Sequence, residues 1–158
     1  MRRRWVFILW LMFAFLSVNC ADPNAELREQ KRVARRKKME QDLEEVKLVE
    51  ETARRWLALV DAGQYKEAWN NAGGLFTSGG KDGDWIAKIS NARISVGGFQ
   101  SRKLLEHYHI NSVPGSPIGN YYNLIFSSSF ALKPASFEVV YLEKERDEEW
   151  KVVGYILK

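Results

Sequence analysis

The hydrophobic period of this chain changes once. Between residues 24 and 98 the apolar residues recur every three or four positions, and from Phe99 onward they recur every second position. A spacing of three and four puts side chains on one face of a helix; a spacing of two puts them on one face of a strand. Helices therefore come first and strands second. That order points to an α+β fold with an antiparallel sheet and argues against a doubly wound parallel one.

The helical half divides at its glycines. No Pro or Gly interrupts residues 24–62, and Glu, Lys, Arg, Gln, Ala and Leu dominate, so a long helix is expected. Its second part carries the stripe Leu43, Val46, Val49, Ala53, Trp56, Leu57 and Val60, with Glu50 to Arg54 and Glu51 to Arg55 as outer i,i+4 pairs. Gly63 ends it. Tyr65, Ala68, Trp69 and Ala72 define a second, short helix that stops at Gly73-Gly74. Leu75-Phe76 is expected to pack, and residues 77–83 read as a loop. Asp82 or Asp84 is positioned to cap a third helix with Trp85, Ile89, Ala92 and Val96 inward, closed by Gly97-Gly98. Four strands follow, over 99–112, 120–131, 136–144 and 150–157, with turns at 113–117, Lys133-Pro134 and 145–149. In the second strand Tyr122, Leu124, Phe126, Ser128 and Phe130 form the core face. Tyr121, Asn123, Ile125, Ser127 and Ser129 face the other way.

The N-terminus reads differently. Arg2, Arg3 and Arg4 precede an apolar run over residues 5–18, the pattern of an export signal. As a helix that run covers about 21 Å, short of a bilayer core of roughly 30 Å. Residues 1–21 are therefore expected to be a signal peptide or lipoprotein signal. Three outcomes stay open at Cys20: lipidation, removal with the signal, or retention of the apolar run as an anchor. Residues 22–42 hold seven basic and five acidic groups and few apolar ones. They read as a basic helical stalk or linker, either solvated or attracted to anionic lipid. Residues 43–158 hold 14 basic and 15 acidic groups, so the +4 net charge is N-terminal and no basic face for nucleic acid is expected on the domain. A single Cys excludes a disulfide framework, and two His add too few ligands for a structural zinc site.

Motifs for catalysis are missing. Gly79-Gly80-Lys81-Asp82 lacks the Gly and the Ser or Thr of a phosphate loop, and neither a G-x-S-x-G elbow nor H-E-x-x-H occurs. His107 and His109 share a strand face, but no third ligand stands at a telling spacing. No metal, cofactor or catalytic residue is assigned.

The helices-then-sheet order resembles the curved, cystatin-like cone shared by nuclear transport factor 2 and ketosteroid isomerase. The stretch 56–65, Trp-Leu-Ala-Leu-Val-Asp-Ala-Gly-Gln-Tyr, with Trp69, is similar to the opening of the domain of unknown function 4019 family. Ser101-Arg102, Pro114-Gly115-Ser116-Pro117, Gly119, Tyr121, Ser129-Phe130-Ala131 and the ending 150–155 agree with it. The resemblance covers residues 45–157. It implies exported bacterial proteins, periplasmic or attached to the outer side of the inner membrane, and transfers no catalytic residue. The Gly79–Gly83 loop and the long basic stretch depart from the family's pattern.

A cone pocket would draw on Tyr65, Arg102, Tyr108 and Tyr122, and an isomerase-like enzyme would add a carboxylate such as Asp61. Arg102 and Lys103 point to opposite faces. An inward Arg102 either attracts an anion or pairs with Glu106, Glu138 or a helix carboxylate. The favoured expectation is a non-catalytic binding or protein-interaction module over residues 43–158. A filled cone of Trp56, Trp69, Trp85 and Phe126 would mark it. A small enzyme with a hollow cone and a structural envelope protein are the alternatives. Tyr121, Asn123, Ile125 and Tyr155, on the open sheet face, are the interface candidates for a protein partner or self-association. Cys20 or the apolar run is the candidate membrane attachment.

Overall fold

The computed structural model describes residues 24–113 and 115–158. The expected signal, residues 1–21, and Cys20 lie outside the described residues. The chain divides into two units, Met1–Glu40 and Gln41–Lys158. Among the described residues four helices precede four strands: α1 (Ala25–Asp61), α2 (Tyr65–Asn70), α3 (Gly74–Ser78), α4 (Asp82–Val96), β1 (Phe99–Ile110), β2 (Tyr121–Phe130), β3 (Ser136–Lys144) and β4 (Trp150–Leu157). The expected α+β arrangement is what the chain forms. Among the described residues no helix is long and apolar enough to cross a membrane.

In the first unit, every described residue up to Glu40 is exposed. In the second, α1 buries Val49, Ala53, Trp56, Leu57 and Val60, the stripe its spacing predicts. Leu43, expected to open that stripe, is 63% exposed, and the first stripe residue to be even partly buried is Val46. A helix face is buried where a partner element reaches it, and periodicity alone does not say where that partner ends. Glu50 pairs with Arg54 at 2.7 Å as expected. The Glu51–Arg55 pair does not form; Arg55 Nη2 donates instead to Thr52 Oγ1 at 2.9 Å.

The segment read as packing residues and loop contains a fourth helix. Gly74 to Ser78 make one turn, α3, and the Gly73 amide reaches across to the Val152 carbonyl at 2.8 Å. Asp82 sits inside the first turn of α4 rather than capping it; its Oδ1 accepts from the Gly83 amide.

The sheet is a simple meander of order β1-β2-β3-β4, antiparallel throughout. Tyr122, Leu124, Phe126, Ser128 and Phe130 are all buried, as the core-face reading requires. Three register shifts break the alternation, between Phe99 and Ser101 and between Leu104 and Glu106 in β1, and opposite Tyr141 and Leu142 at Val153 of β4. An extra residue on one strand rotates everything after it by one face. Tyr155 therefore pairs with inward-facing Val140 and points into the core, while Gly154 and Ile156 point out.

Candidate functional site

Four charged side chains meet under the sheet. Asp61 is the last residue of α1, and Arg93 lies one turn before the end of α4. Arg102 and Glu138 come from the inner faces of β1 and β3, flanking Ser128 of β2. Arg102 donates from Nε to Glu138 Oε2 at 2.6 Å and from Nη1 and Nη2 to Asp61 Oδ2 and Oδ1 at 2.9 and 3.1 Å. Arg93 Nη2 contacts Asp61 Oδ1, and its Nη1 lies 3.4 Å from Glu138 Oε1. Each carboxylate is thus bridged by both guanidiniums, the fork geometry that suits Arg to carboxylates. Ser128 Oγ and Tyr155 OH also donate to Glu138, Tyr155 at 2.6 Å.

The cluster is largely buried, its most exposed side chain being Asp61 at 13%. Glu138 is fully buried and the two Arg side chains are 6% and 5% exposed. Phe130 covers the Arg93 guanidinium at 4.5 Å, and Phe99 covers that of Arg102 at 4.4 Å, stacking that suits a weakly hydrated cation. Burial pushes the Glu138 carboxyl up, but the hydrogen bond and charge of Arg102, then the Ser128 and Tyr155 hydroxyls, outweigh it and hold Glu138 below the ordinary value. Burial and the Glu138 charge push the Tyr155 phenol far up. The formal charges of the four ions cancel, so the cluster carries no surplus cation for an anionic ligand.

Beside it the interior is aromatic. Trp56 packs on Phe76, Trp85 and Tyr155 with ring centroids 5.5–6.0 Å apart, and Trp69 closes on Phe76 and Trp85 at 5.7 and 5.9 Å. The Trp56 indole N–H donates to the Ala68 carbonyl at 2.8 Å, which ties α1 to α2. A surface groove of about 520 Å³ runs between α1, α2 and β4, with Trp56, Leu59 and Trp150 along its floor and Arg55, Glu67 and Lys151 at its rim.

Among the described residues no helix covers the opposite face of the sheet. Ile125, Val139 and Ile156 are cross-strand partners and form a row on that face, with Phe137 and Tyr141 on neighbouring rows. Phe137 is 49% and Ile156 40% exposed.

The structure separates the pocket candidates. Arg102 lies in the ion cluster, with two of the partners weighed for it, Glu138 and a helix carboxylate. Tyr65 packs on the core from α2. Tyr122 lies at the other end of the sheet, against Trp150 and stacked by His109 at 4.9 Å. Tyr108 points outward and bonds Glu106. Of the interface candidates, Ile125 and Asn123 are half-buried on the open face, and Asn123 Oδ1 has no hydrogen-bond partner among the described residues. Two corrections follow. Tyr155 is not on that face, because the Val153 bulge turns it inward. Tyr121 is on it but fully buried: the preceding loop folds over its ring, Gly119 approaches too closely for a Cβ, and Pro117 O accepts from its hydroxyl at 3.0 Å. Among the described residues no cluster of three metal-ligating side chains occurs. Arg93, Ser128 and Glu138 were not singled out as a cluster by sequence. The available signal was Arg93 itself, a charge in phase with Ile89 and Val96 on an inward stripe.

An α+β domain with an aromatic interior, a buried ion cluster and one sheet face that no described helix covers is thus the class of protein that the fold defines. The sequence profile of the family described as "Protein of unknown function (DUF4019)" matches residues 52–155, and the chain belongs to that family. A search of curated proteins and a search of solved structures each found no match.

Proposed function

We propose that the chain is an exported, non-catalytic interaction module of the bacterial envelope, with its open sheet face docking a protein surface. One observation carries this reading: the apolar row Ile125, Val139 and Ile156 lies across three strands on the side away from the core. Antiparallel sheets tolerate water on one face, where they ordinarily present polar groups, and a contiguous apolar patch marks an interface. A second copy of the chain is the first partner to test. We also read the domain as a cystatin-like cone of the nuclear transport factor 2 kind. The bulges in β1 and β4 support this, since bulges bend and twist strands. Export rests on the N-terminal basic and apolar pattern, and intact-mass measurement of the envelope-derived protein tests it. A small enzyme is the second reading, for which Glu138 beside Tyr155 is the motive. It is the weaker one because that carboxylate is fully enclosed and already accepts from four side chains.

Light scattering at micromolar concentration tests the interface. Self-association that Ile125→Asp or Ile156→Asp abolishes, with the thermal midpoint retained, supports it. A protein that is monomeric throughout and captures the same envelope partners with or without those substitutions overturns it.

A further inference from the structure

The first part of α1 has no core to build, yet its charges are sorted by face. Taking about 100° per residue, Arg28, Lys31, Arg32, Arg35, Arg36 and Lys38 fall within an arc of about 160°. Glu26, Glu29 and Glu40 fall outside that arc, and so does Lys37. Asp42 alone among the nearby acids projects toward it, beyond its C-terminal end. All of these side chains are exposed. Arg32 pairs with Glu29 at 3.2 Å, at the edge of the stripe. A merely solubilising helix has no need to segregate its bases, and mixing the signs around the helix would bring more i,i+4 pairs. The stripe extends about 15 Å along the axis, and its first member stands ten residues after the apolar run 5–18.

We propose that this stripe is a docking surface for an anionic phospholipid bilayer. The chemistry that fits is a plane of negative charge met by a row of long, flexible cations. Lys and Arg stems also reach a headgroup layer while their helix stays in water. The sequence next to it argues for lipid over other polyanions: an apolar run retained as an anchor, or a lipidated Cys20, holds the following residues at a membrane surface, where the local concentration of anionic headgroups is high, and the inference rests on one of those two outcomes. The domain behind it is nearly neutral, so the attraction is confined to this helix.

The test uses the full-length chain reconstituted into nanodiscs of phosphatidylcholine, with or without phosphatidylglycerol, and follows amide exchange over residues 28–38. Six bases at an anionic surface predict slowing of at least about tenfold on phosphatidylglycerol relative to phosphatidylcholine alone. About 1 M salt, where the screening length is about 3 Å, should remove it. Arg32→Gln with Arg35→Gln should lose most of the slowing, and Arg32→Lys with Arg35→Lys should keep it. Lys37→Gln with Lys47→Gln, an equal charge change off the stripe, should leave it nearly intact. Equal exchange on the two lipids overturns the proposal. So does an equal loss from the two Gln pairs, which would make net charge the cause. Stronger protection by duplex DNA than by phosphatidylglycerol at the same salt overturns the lipid assignment.

Discussion

Glu138 shows how much a single buried side chain can organise. Four donors from four elements converge on it: Arg102 from β1, Ser128 from β2, Tyr155 from β4 and Arg93 from α4. Replacing a whole buried ion cluster by apolar groups is often neutral, but removing one partner strands the others. Glu138→Gln leaves two guanidiniums facing one carboxylate and is expected to cost about 3–5 kcal/mol in urea unfolding. The pH dependence follows from the same contacts. Because the folded carboxyl is held below its ordinary value, its contribution is fully present above about pH 4.3 and is lost as the pH falls through the folded value. The acid limb of the stability curve should therefore flatten in Glu138→Gln. A variant within 1 kcal/mol of the parent (by the scale above), with the same acid limb, would remove the cluster from any account of stability. That Arg102 and Lys103 face opposite ways was legible from the strand period, which left open which of them points inward. The convergence of Arg102 with Asp61, Arg93 and Glu138 was not legible, because all four Arg–carboxylate contacts join residues 32 or more positions apart in sequence.

At the scale of elements, the boundaries that were readable are those where backbone chemistry punctuates. Gly97 is one. It ends α4 at φ +78°, and a Cβ there would stand 2.9 Å from Leu132 Cγ and 3.2 Å from the Leu132 amide nitrogen. The turn after β2 packs against this point, and the Leu132 amide donates to the Val96 carbonyl at 2.9 Å. Gly97→Ala meets both a disfavoured backbone angle and a backbone atom, so a loss of about 1–3 kcal/mol is expected in the denaturant midpoint. Gly80→Ala, where nothing lies within 4 Å of the added carbon, is the control and should be nearly silent. Equal midpoints for the two variants would contradict the close approach. The elements that escaped the sequence are those without such punctuation. The α3 turn is five residues long, too short to display a helical period. The Val153 bulge leaves no mark in a strand that reads apolar on both faces, so an unbroken alternation sent Tyr155 to the wrong side.

At the scale of the whole molecule, the division between a stalk and a domain is a claim about where burial begins. The charge distribution and the sparse apolar residues of 22–42 suggest that this stretch supplies no core. The described residues from 24 to 44 are all exposed, and Leu27, Val33, Met39 and Leu43 are each about half exposed or more. The first fully buried side chain of α1 is Val49. Cutting a helix in a solvated region removes i,i+4 pairs and exposes a new helix end, which together cost no more than about 1 kcal/mol. It leaves untouched the ion cluster and the Trp56 contacts that join helices to sheet. The unit Gln41–Lys158, expressed alone, should therefore unfold cooperatively, with a denaturant midpoint and slope close to those of the longer chain. The slope is the sharper readout, since it scales with the surface exposed on unfolding and a solvated stalk contributes little to it. Broad, non-cooperative melting of Gln41–Lys158 would mean that the exposed turns of α1 are needed for the fold, and the docking role given to its basic face would then have to share those residues with a structural one.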